Sequence, residues 1–252
     1  MRRPVLEKQR PGTSAVLLYH RIGLPKLSSL VAGQYVAPVL FRLQLDYLTA
    51  RSWGATSLAH VVERSRFGKR PPRDEFAVTF DDAYLSVYQH ACPALADRGM
   101  TATIFVVADH IGGINEWDSA AGDRRELLMT AGQIREMSEA GFEIGSHTLT
   151  HAHLTDLSEE SLRRELVDSR HRLEDLIGKD VPAFSYPYGE YDDRVLAAVI
   201  LAGYKYAVST KLGVAGRTGV YEIPRVNVRW NAIGPFLMRK IRRARRATGL
   251  PR

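Results

Sequence analysis

The chain has 252 residues, 45% of them hydrophobic, a single cysteine and a formal net charge of +7. That length is enough to bury one sizeable core and suits a single α/β barrel. Because Cys92 stands alone, an intrachain disulfide framework and any zinc site built from several thiolates are excluded, so a bound metal would take nitrogen and oxygen ligands.

Residues 1–14 read as an N-terminal extension. The opening MRRPVLEKQRPGTSAVLLYH is basic but carries no apolar region long enough for a signal peptide, and no later segment is long enough to span a bilayer. The expectation is a soluble chain, cytoplasmic by default. The first strand is AVLLYH (15–20). A helix follows in VLFRLQLDYLTARSWG, where Leu40, Leu43, Tyr47 and Leu48 share a face and Gly54 closes the run. FAVTFD (76–81) is a second strand, with a helix in YLSVYQHACPALADRG behind it, and ATIFVV (102–107) is a third. The stretch 109–122, with Gly112, Gly113 and Trp117, reads as a loop over one end of the molecule, and a helix starts near Thr130.

FEIGSH (142–147) is the fourth strand. In SEESLRRELVDSRHRLEDLIG the residues Leu162, Leu166, Leu173 and Ile177 recur at helical steps, Ser158 can cap the start, and Gly178 follows the last turn. AFSYP (183–187), KYAVST (205–210) and EIPRVNV (222–228) complete seven strands. Alternating strands and helices imply a parallel sheet, and seven repeats imply closure, giving an α/β barrel over 15–230. Residues 231–252 form a basic C-terminal tail with Phe236, Leu237 and Ile241 as a sparse apolar side. Such a segment suits peripheral contact with an anionic membrane, and the plainer expectation is a solvated, partly disordered tail. No RNA-binding signature, helix-turn-helix or zinc-finger spacing supports a specific nucleic-acid partner.

In a parallel barrel chemistry gathers at the carboxyl ends of the strands. Those ends carry His20, Asp81 with Asp82, Asp109 with His110, His147 with His151, Tyr186 to Tyr188, and Arg225. His147 and His151 are four apart, which on a helical turn would aim both imidazoles the same way, as in divalent-ion sites. The residues between them include no glutamate, so a base must come from elsewhere. VTFDDAY supplies two carboxylates: one can complete a three-ligand site with open positions, and the other can take a proton from water. The competing account makes Asp82 the cap of the next helix, which explains only one aspartate. His153 is offset from His151 and reads as structural, as do His60, His90 and His171. FSYPYGEYD fits either a main-chain N–H fixed as an oxyanion-hole donor or a packed aromatic corner.

These motifs resemble the polysaccharide deacetylases of carbohydrate esterase family four: TFDDAY is similar to the family's TFDDG, SHTLTH to its H-[ST]-x-x-H, and FSYPYG to its aromatic-proline third motif. The resemblance spans about residues 17–228. It implies a deformed (β/α)7 barrel, Asp81 as general base, Asp82, His147 and His151 as ligands of a divalent metal, and the Tyr188 N–H as part of an oxyanion hole. Zinc is the first expectation for the metal, with cobalt, nickel, iron or manganese also suited. The implied reaction removes an N-acetyl group from an amino-sugar polymer or oligomer and releases acetate, with Tyr186, Trp117 and Arg225 contacting substrate.

Three departures stand out. Ala83 replaces the glycine of the first motif. Ser185 stands where many members carry an arginine that orients the catalytic aspartate. Arg225 occupies the position of a general-acid histidine, and arginine does not give up its proton. A subgroup resembling the biofilm poly-N-acetylglucosamine deacetylases has a YPYG third motif and a tyrosine-histidine pair on the first strand. Tyr19 and His20 match that pair, which makes His20 the expected general acid and Arg225 a fixed charge at the mouth. The alternatives are a catalytically weakened barrel that binds glycan or protein, and an O-acetyl esterase using the same metal site.

Overall fold

The computed structural model describes residues 11–24, 29–120, 122–216 and 219–249; most of the expected N-terminal extension, residues 1–10, lies outside them. Seven strands run in parallel: β1 (Ser14–Tyr19), β2 (Glu75–Phe80), β3 (Thr103–Val106), β4 (Glu143–Ser146), β5 (Ala183–Ser185), β6 (Tyr206–Leu212) and β7 (Ile223–Asn227). Strand β1 closes the barrel by pairing with both ends of the sheet. It runs from Ser14↔Glu75 to Tyr19↔Phe80 along β2, and pairs Leu17↔Val226 and Leu18↔Asn227 along β7. Every residue of β1 and β2 is buried, which is why both read as near-continuous apolar runs rather than alternating ones.

Side chains of period two fill the interior. Val16, Ala77, Phe105, Ala183, Val208 and Ile223, from six of the seven strands, form one buried cluster with Leu58, Val61 and Val62. The fourth strand contributes Gly145, where a Cβ would lie 2.5 Å from the Phe105 ring; the missing side chain is what admits the phenyl group. The helix α2 that supplies the last three (Leu58–Arg66) is tied to the start of β2 by an Arg64 to Glu75 ion pair of 2.7 Å, so it plugs the amino-terminal end. Two residues further along their strands stand Thr79, Ser185 and Arg225, and then Asp81. Period two thus places polar groups directly above an apolar plug, on the carboxyl side.

Helices α1 (Pro38–Thr49), α3 (Cys92–Ala96), α4 (Glu116–Ala120), α5 (Ala131–Glu139), α6 (Glu159–Ile177), α7 (Asp193–Leu201) and α8 (Pro235–Ala247) complete the chain. Thr130 and Gln133 form a reciprocal capping box on α5, and Ser158 and Gly178 bound α6 as the sequence implies. Two expectations need correction. The buried face of α1 is Phe41, Gln44, Leu45 and Leu48, with Leu43 55% exposed. Gln44 reads as polar but is buried because it accepts from the Tyr19 hydroxyl at 3.0 Å and donates to Ala232 O at 2.8 Å. The C-terminal segment is no solvated tail: α8 buries Leu237, Ile241 and Ala244 in the main core. No described helix is long and apolar enough to cross a membrane.

Candidate active site

A cavity of about 390 Å3 opens at the carboxyl end of the barrel, lined among others by His20, Asp81, Asp82, His147, His151, Trp117 and Tyr188. His20 follows β1, Asp81 and Asp82 follow β2, His147 and His151 follow β4, Tyr188 follows β5, and Trp117 comes from the segment between β3 and β4. The strand β2 ends at Phe80, and the chain then turns with Asp82 at φ 72° and Ala83 at φ 52°. Two consecutive left-handed residues without glycine cost on the order of 1–2 kcal/mol each, and they turn the Asp82 carboxylate inward. The turn therefore survives the alanine of TFDDAY. Asp82 caps no helix.

His147 and His151 do not share a helical turn. They sit on an irregular loop after β4 in which Thr148 and His151 also have positive φ, 69° and 64°. Glu165 of α6 holds that loop: its Oε2 accepts from the N–H groups of Leu149 and Thr150 at 2.9 and 3.0 Å, and its Oε1 from the Thr150 hydroxyl at 2.7 Å. The His151 N–H donates to Thr148 Oγ1 at 2.9 Å. The loop nonetheless brings both imidazoles to one carboxylate. Asp82 Oδ1 lies 3.5 Å from His147 Nε2 and 3.4 Å from His151 Nε2, and one ligand atom from each of the three lies within 4.8 Å of the others.

These residues fit a divalent cation. Ligands about 2.1 Å from one ion in tetrahedral array lie about 3.4 Å apart, which is the carboxylate-to-imidazole spacing found here. Asp82 Oδ1 is buried with no hydrogen-bond partner among the described residues, a costly state for a carboxylate unless a cation completes it. His147 Nδ1 is bonded to Ser185 O at 2.7 Å, which leaves Nε2 directed at the site. Burial lowers the pKa of both histidines, so their nitrogens keep their lone pairs, whereas burial and the charges of Asp81 and Asp118 push the Asp82 carboxyl well above its ordinary range.

Asp81 is in a different situation. Burial alone would raise its pKa, but Arg225 outweighs that, helped by His147 and His20, and holds the carboxyl well below the usual range. Arg225 donates from Nη1 to Oδ1 and from Nη2 to Oδ2, both at 2.7 Å, while Ser185 Oγ accepts from Arg225 Nη2 at 3.0 Å and donates to Asp81 Oδ2 at 3.2 Å. This overturns two expectations. Arg225 is fully buried and tied to Asp81, so it is neither a charge at the mouth nor a substrate contact. The orienting arginine that Ser185 appeared to remove is supplied from β7 instead.

Tyr186 is also corrected. It is fully buried, its hydroxyl donates to Tyr221 O at 3.0 Å and its ring stacks on Tyr191 at 4.5 Å, so it belongs to the core. Tyr188, at φ 58°, turns outward beside Gly189, where a Cβ would meet Thr210 Oγ1 at 1.9 Å. The Tyr188 ring stands edge-on to His151 at 4.6 Å and stacks on His153 at 3.9 Å. His153 itself is bonded to Glu190 at 2.9 Å and lies outside the ligand group. Trp117, on a short helix within the expected loop, stacks on His151 at 4.5 Å. His20 lines the cavity with Nδ1 unpartnered among the described residues, and burial pushes its pKa down to about 3. Cavity residues that the sequence reading passed over include Asp118, Asn227 and Arg229. Their signal was position, beside Trp117 and at the exit of the last strand. Buried Arg21 pairs with Asp118, to which Tyr84 also donates at 3.0 Å, so Arg21 fixes the loop that carries Trp117.

A buried two-imidazole, one-carboxylate cluster at the mouth of a seven-stranded parallel barrel, beside a second carboxylate clamped by arginine, defines a metal-site hydrolase barrel. Residues 68–207 match the polysaccharide deacetylase family. The chain belongs to that family. A Bacillus subtilis (strain 168) relative, YxkH, is 28% identical over 224 residues, covering 88% of this chain and 74% of its own. The poly-beta-1,6-N-acetyl-D-glucosamine N-deacetylase of Staphylococcus epidermidis is 27% identical over 241 residues, with 88% and 81% covered. Among solved structures, the Streptococcus pyogenes deacetylase PplD in complex with acetate superposes with a TM-score of 0.78 at 25% identity, over 92% of this chain and 99% of that one.

Proposed function

We propose that the chain is a metal-dependent N-deacetylase acting on an N-acetylglucosamine polymer, with zinc as its first-choice ion. The observation that carries this reading is the pairing of an open Asp82, His147 and His151 cluster with the separately clamped Asp81 in one cavity. A divalent cation held by those three residues would polarise the acyl carbonyl and acidify water. Asp81, kept ionised by Arg225, accepts the proton that water loses. The Tyr188 N–H would donate to the oxygen that gains charge. The proton that Asp81 takes from water then passes to the departing amine by way of the neutral His20 ring in the same cavity, which acts as the general acid once it has received that proton, so that acetate and a free amine result. Trp117 and Tyr188 flank the opening and suit the faces of a sugar ring. The names of the Staphylococcus relatives point to a β-1,6-linked polymer as the substrate class.

Acetate release from β-1,6-linked N-acetylglucosamine oligomers, measured beside β-1,4-linked oligomers and an O-acetylated sugar with zinc-loaded enzyme, tests the reading. Turnover on the first is expected. Release from the O-acetyl ester alone would replace it with an esterase, and bound metal without turnover on any would leave a glycan-binding barrel.

A further inference from the structure

The thirty residues 223–252 hold nine arginines and lysines and no aspartate or glutamate, so the basic excess of the whole chain resides there and the remainder is slightly acidic. Folding sorts these charges. Along α8 the buried residues Leu237, Ile241 and Ala244 recur at steps of four and three. Phe236, Arg239, Arg243 and Arg246 recur at three, four and three on the opposite side, with Arg242 beside them, and all five are exposed. Among the described residues none of these four arginines has a carboxylate within ion-pair distance. They surround a groove of about 570 Å3 together with Asn231, Phe236 and Lys240.

The turn that leads into α8 adds an apolar component. Trp230, Ile233 and Phe236 are 57%, 55% and 60% exposed, three large apolar side chains within seven residues. Burial in the protein does not explain them, and an anionic polysaccharide or nucleic acid would not need an isoleucine and a phenylalanine turned to solvent. A bilayer interface needs both components, basic side chains for the anionic headgroups and bulky apolar groups for the acyl boundary. The face adjoins the active site: Asn227 and Arg229 line the catalytic cavity one to three residues before Trp230, and Lys240 donates to Asn227 O at 3.2 Å.

We propose that the Trp230, Ile233 and Phe236 cluster with the arginine stripe of α8 docks the protein on an anionic phospholipid surface, so that the mouth of the barrel opens beside the lipid headgroups. The helix is about 20 Å long at 1.5 Å per residue, enough to lay four arginines along the surface while the apolar cluster enters it. The proposal rests on this surface and not on the deacetylase reading.

The test is co-sedimentation of the full chain with phosphatidylcholine vesicles, alone or mixed with phosphatidylglycerol, at low and high salt. Two variants accompany it: Arg239→Gln/Arg243→Gln/Arg246→Gln, and Trp230→Ser/Phe236→Ser. Binding should require phosphatidylglycerol, weaken with salt, and fall on the order of a hundredfold in the triple variant, since each basic residue near such a surface strengthens binding about fivefold. The double variant should also lose vesicle binding, and both variants should keep wild-type metal content and activity on soluble oligomers. Failure of wild type to bind anionic vesicles, or equal binding by either variant, overturns the proposal. So does a double variant that still binds vesicles and is displaced from them by dextran sulfate or DNA, because that is a polyanion site. Vesicle binding without deacetylase turnover would overturn the functional reading and leave this one standing.

Discussion

Arg225 grips both carboxylate oxygens of Asp81, Nη1 to Oδ1 and Nη2 to Oδ2, each at 2.7 Å, from a strand separated from that of Asp81 by β1. The pair is fully desolvated, with Thr79 Oγ1, Ser185 Oγ and Ser209 O accepting the remaining guanidinium hydrogens at 3.2, 3.0 and 3.0 Å. A bidentate grip fixes both the charge and the plane of the carboxylate, which is what a general base needs if it is to meet one water in one direction.

Removing one partner should therefore be severe. Arg225→Met leaves a buried carboxylate uncompensated and should cost about 3–5 kcal/mol of stability, with activity falling at least on the order of a hundredfold. Asp81→Asn/Arg225→Met should regain much of the stability and none of the turnover. Because Ser185 already touches both members, Arg225→Ala/Ser185→Arg should recover activity over Arg225→Ala by returning the guanidinium from the neighbouring side. Denaturation curves and acetate release on the four proteins check this, and a Ser185→Arg double variant no better than its parent would show that the strand of origin matters.

The metal cluster predicts opposite effects with and without ion. Elemental analysis should show roughly one equivalent of divalent metal per wild-type chain and its loss in both Asp82→Asn and His147→Ala. Chelation should lower the wild-type melting temperature, because an ion that binds only the folded state stabilises it. Burial and neighbouring carboxylates penalise the Asp82 charge, so metal-free Asp82→Asn should melt higher than metal-free wild type. A lower melting temperature for that variant would mean that Asp82 contributes bonds beyond its ligand role.

How the sequence disclosed this site depends on what set each position. The seven strands were legible because their burial on both faces leaves unbroken apolar runs such as SAVLLY and EFAVTF. The grouping of Asp82, His147 and His151 was legible from spacing and motif, although a helical turn is not what brings the histidines together: Glu165, fourteen residues after His151, shapes that loop. Arg225 and Tyr186 misled because one sits midway along the short strand β7 and the other just past β5, where a polar or aromatic side chain points either out to the cavity or in to the barrel. Period two decides between them only once the register is known, and a bulge between Ile223 and Arg225 obscures it. The face of α1 was misplaced because the buried member of the set is a glutamine.

Tyr186→Phe distinguishes a packing role from a substrate contact. Its hydroxyl serves Tyr221 O inside the protein, so deletion should cost about 1 kcal/mol of stability and leave kcat and KM within about twofold of wild type. A rise in KM without loss of stability would return Tyr186 to the substrate side.

Trp117→Ala addresses the wall that remains. The indole covers one face of His151 at 4.5 Å and lines the cavity. Its loss should raise KM for oligomers by about tenfold, the upper end of what an aromatic contact of about 0.5–1.5 kcal/mol supplies, while metal content stays near one per chain. Loss of metal instead would mean that the indole holds His151 in place.

His20 offers a pH signature independent of turnover. Burial, against a smaller opposing pull from Asp81, takes its pKa from an ordinary 6.5 to about 3. In the unfolded chain the ring takes up a proton near its ordinary pKa, whereas in the folded protein it stays neutral until far lower pH. The contribution of this group is thus fully present above pH 6.5 and is lost as pH falls from there towards 3, at up to about 1.4 kcal/mol per pH unit. His20→Asn removes the term, so in metal-free buffer the stability of wild type relative to the variant should decline steadily from about pH 7 to pH 5. Chemical denaturation at several pH values reads this directly. Parallel curves would show that the ring is solvated, and retention of full deacetylase activity by the same variant would remove His20 as the proton donor.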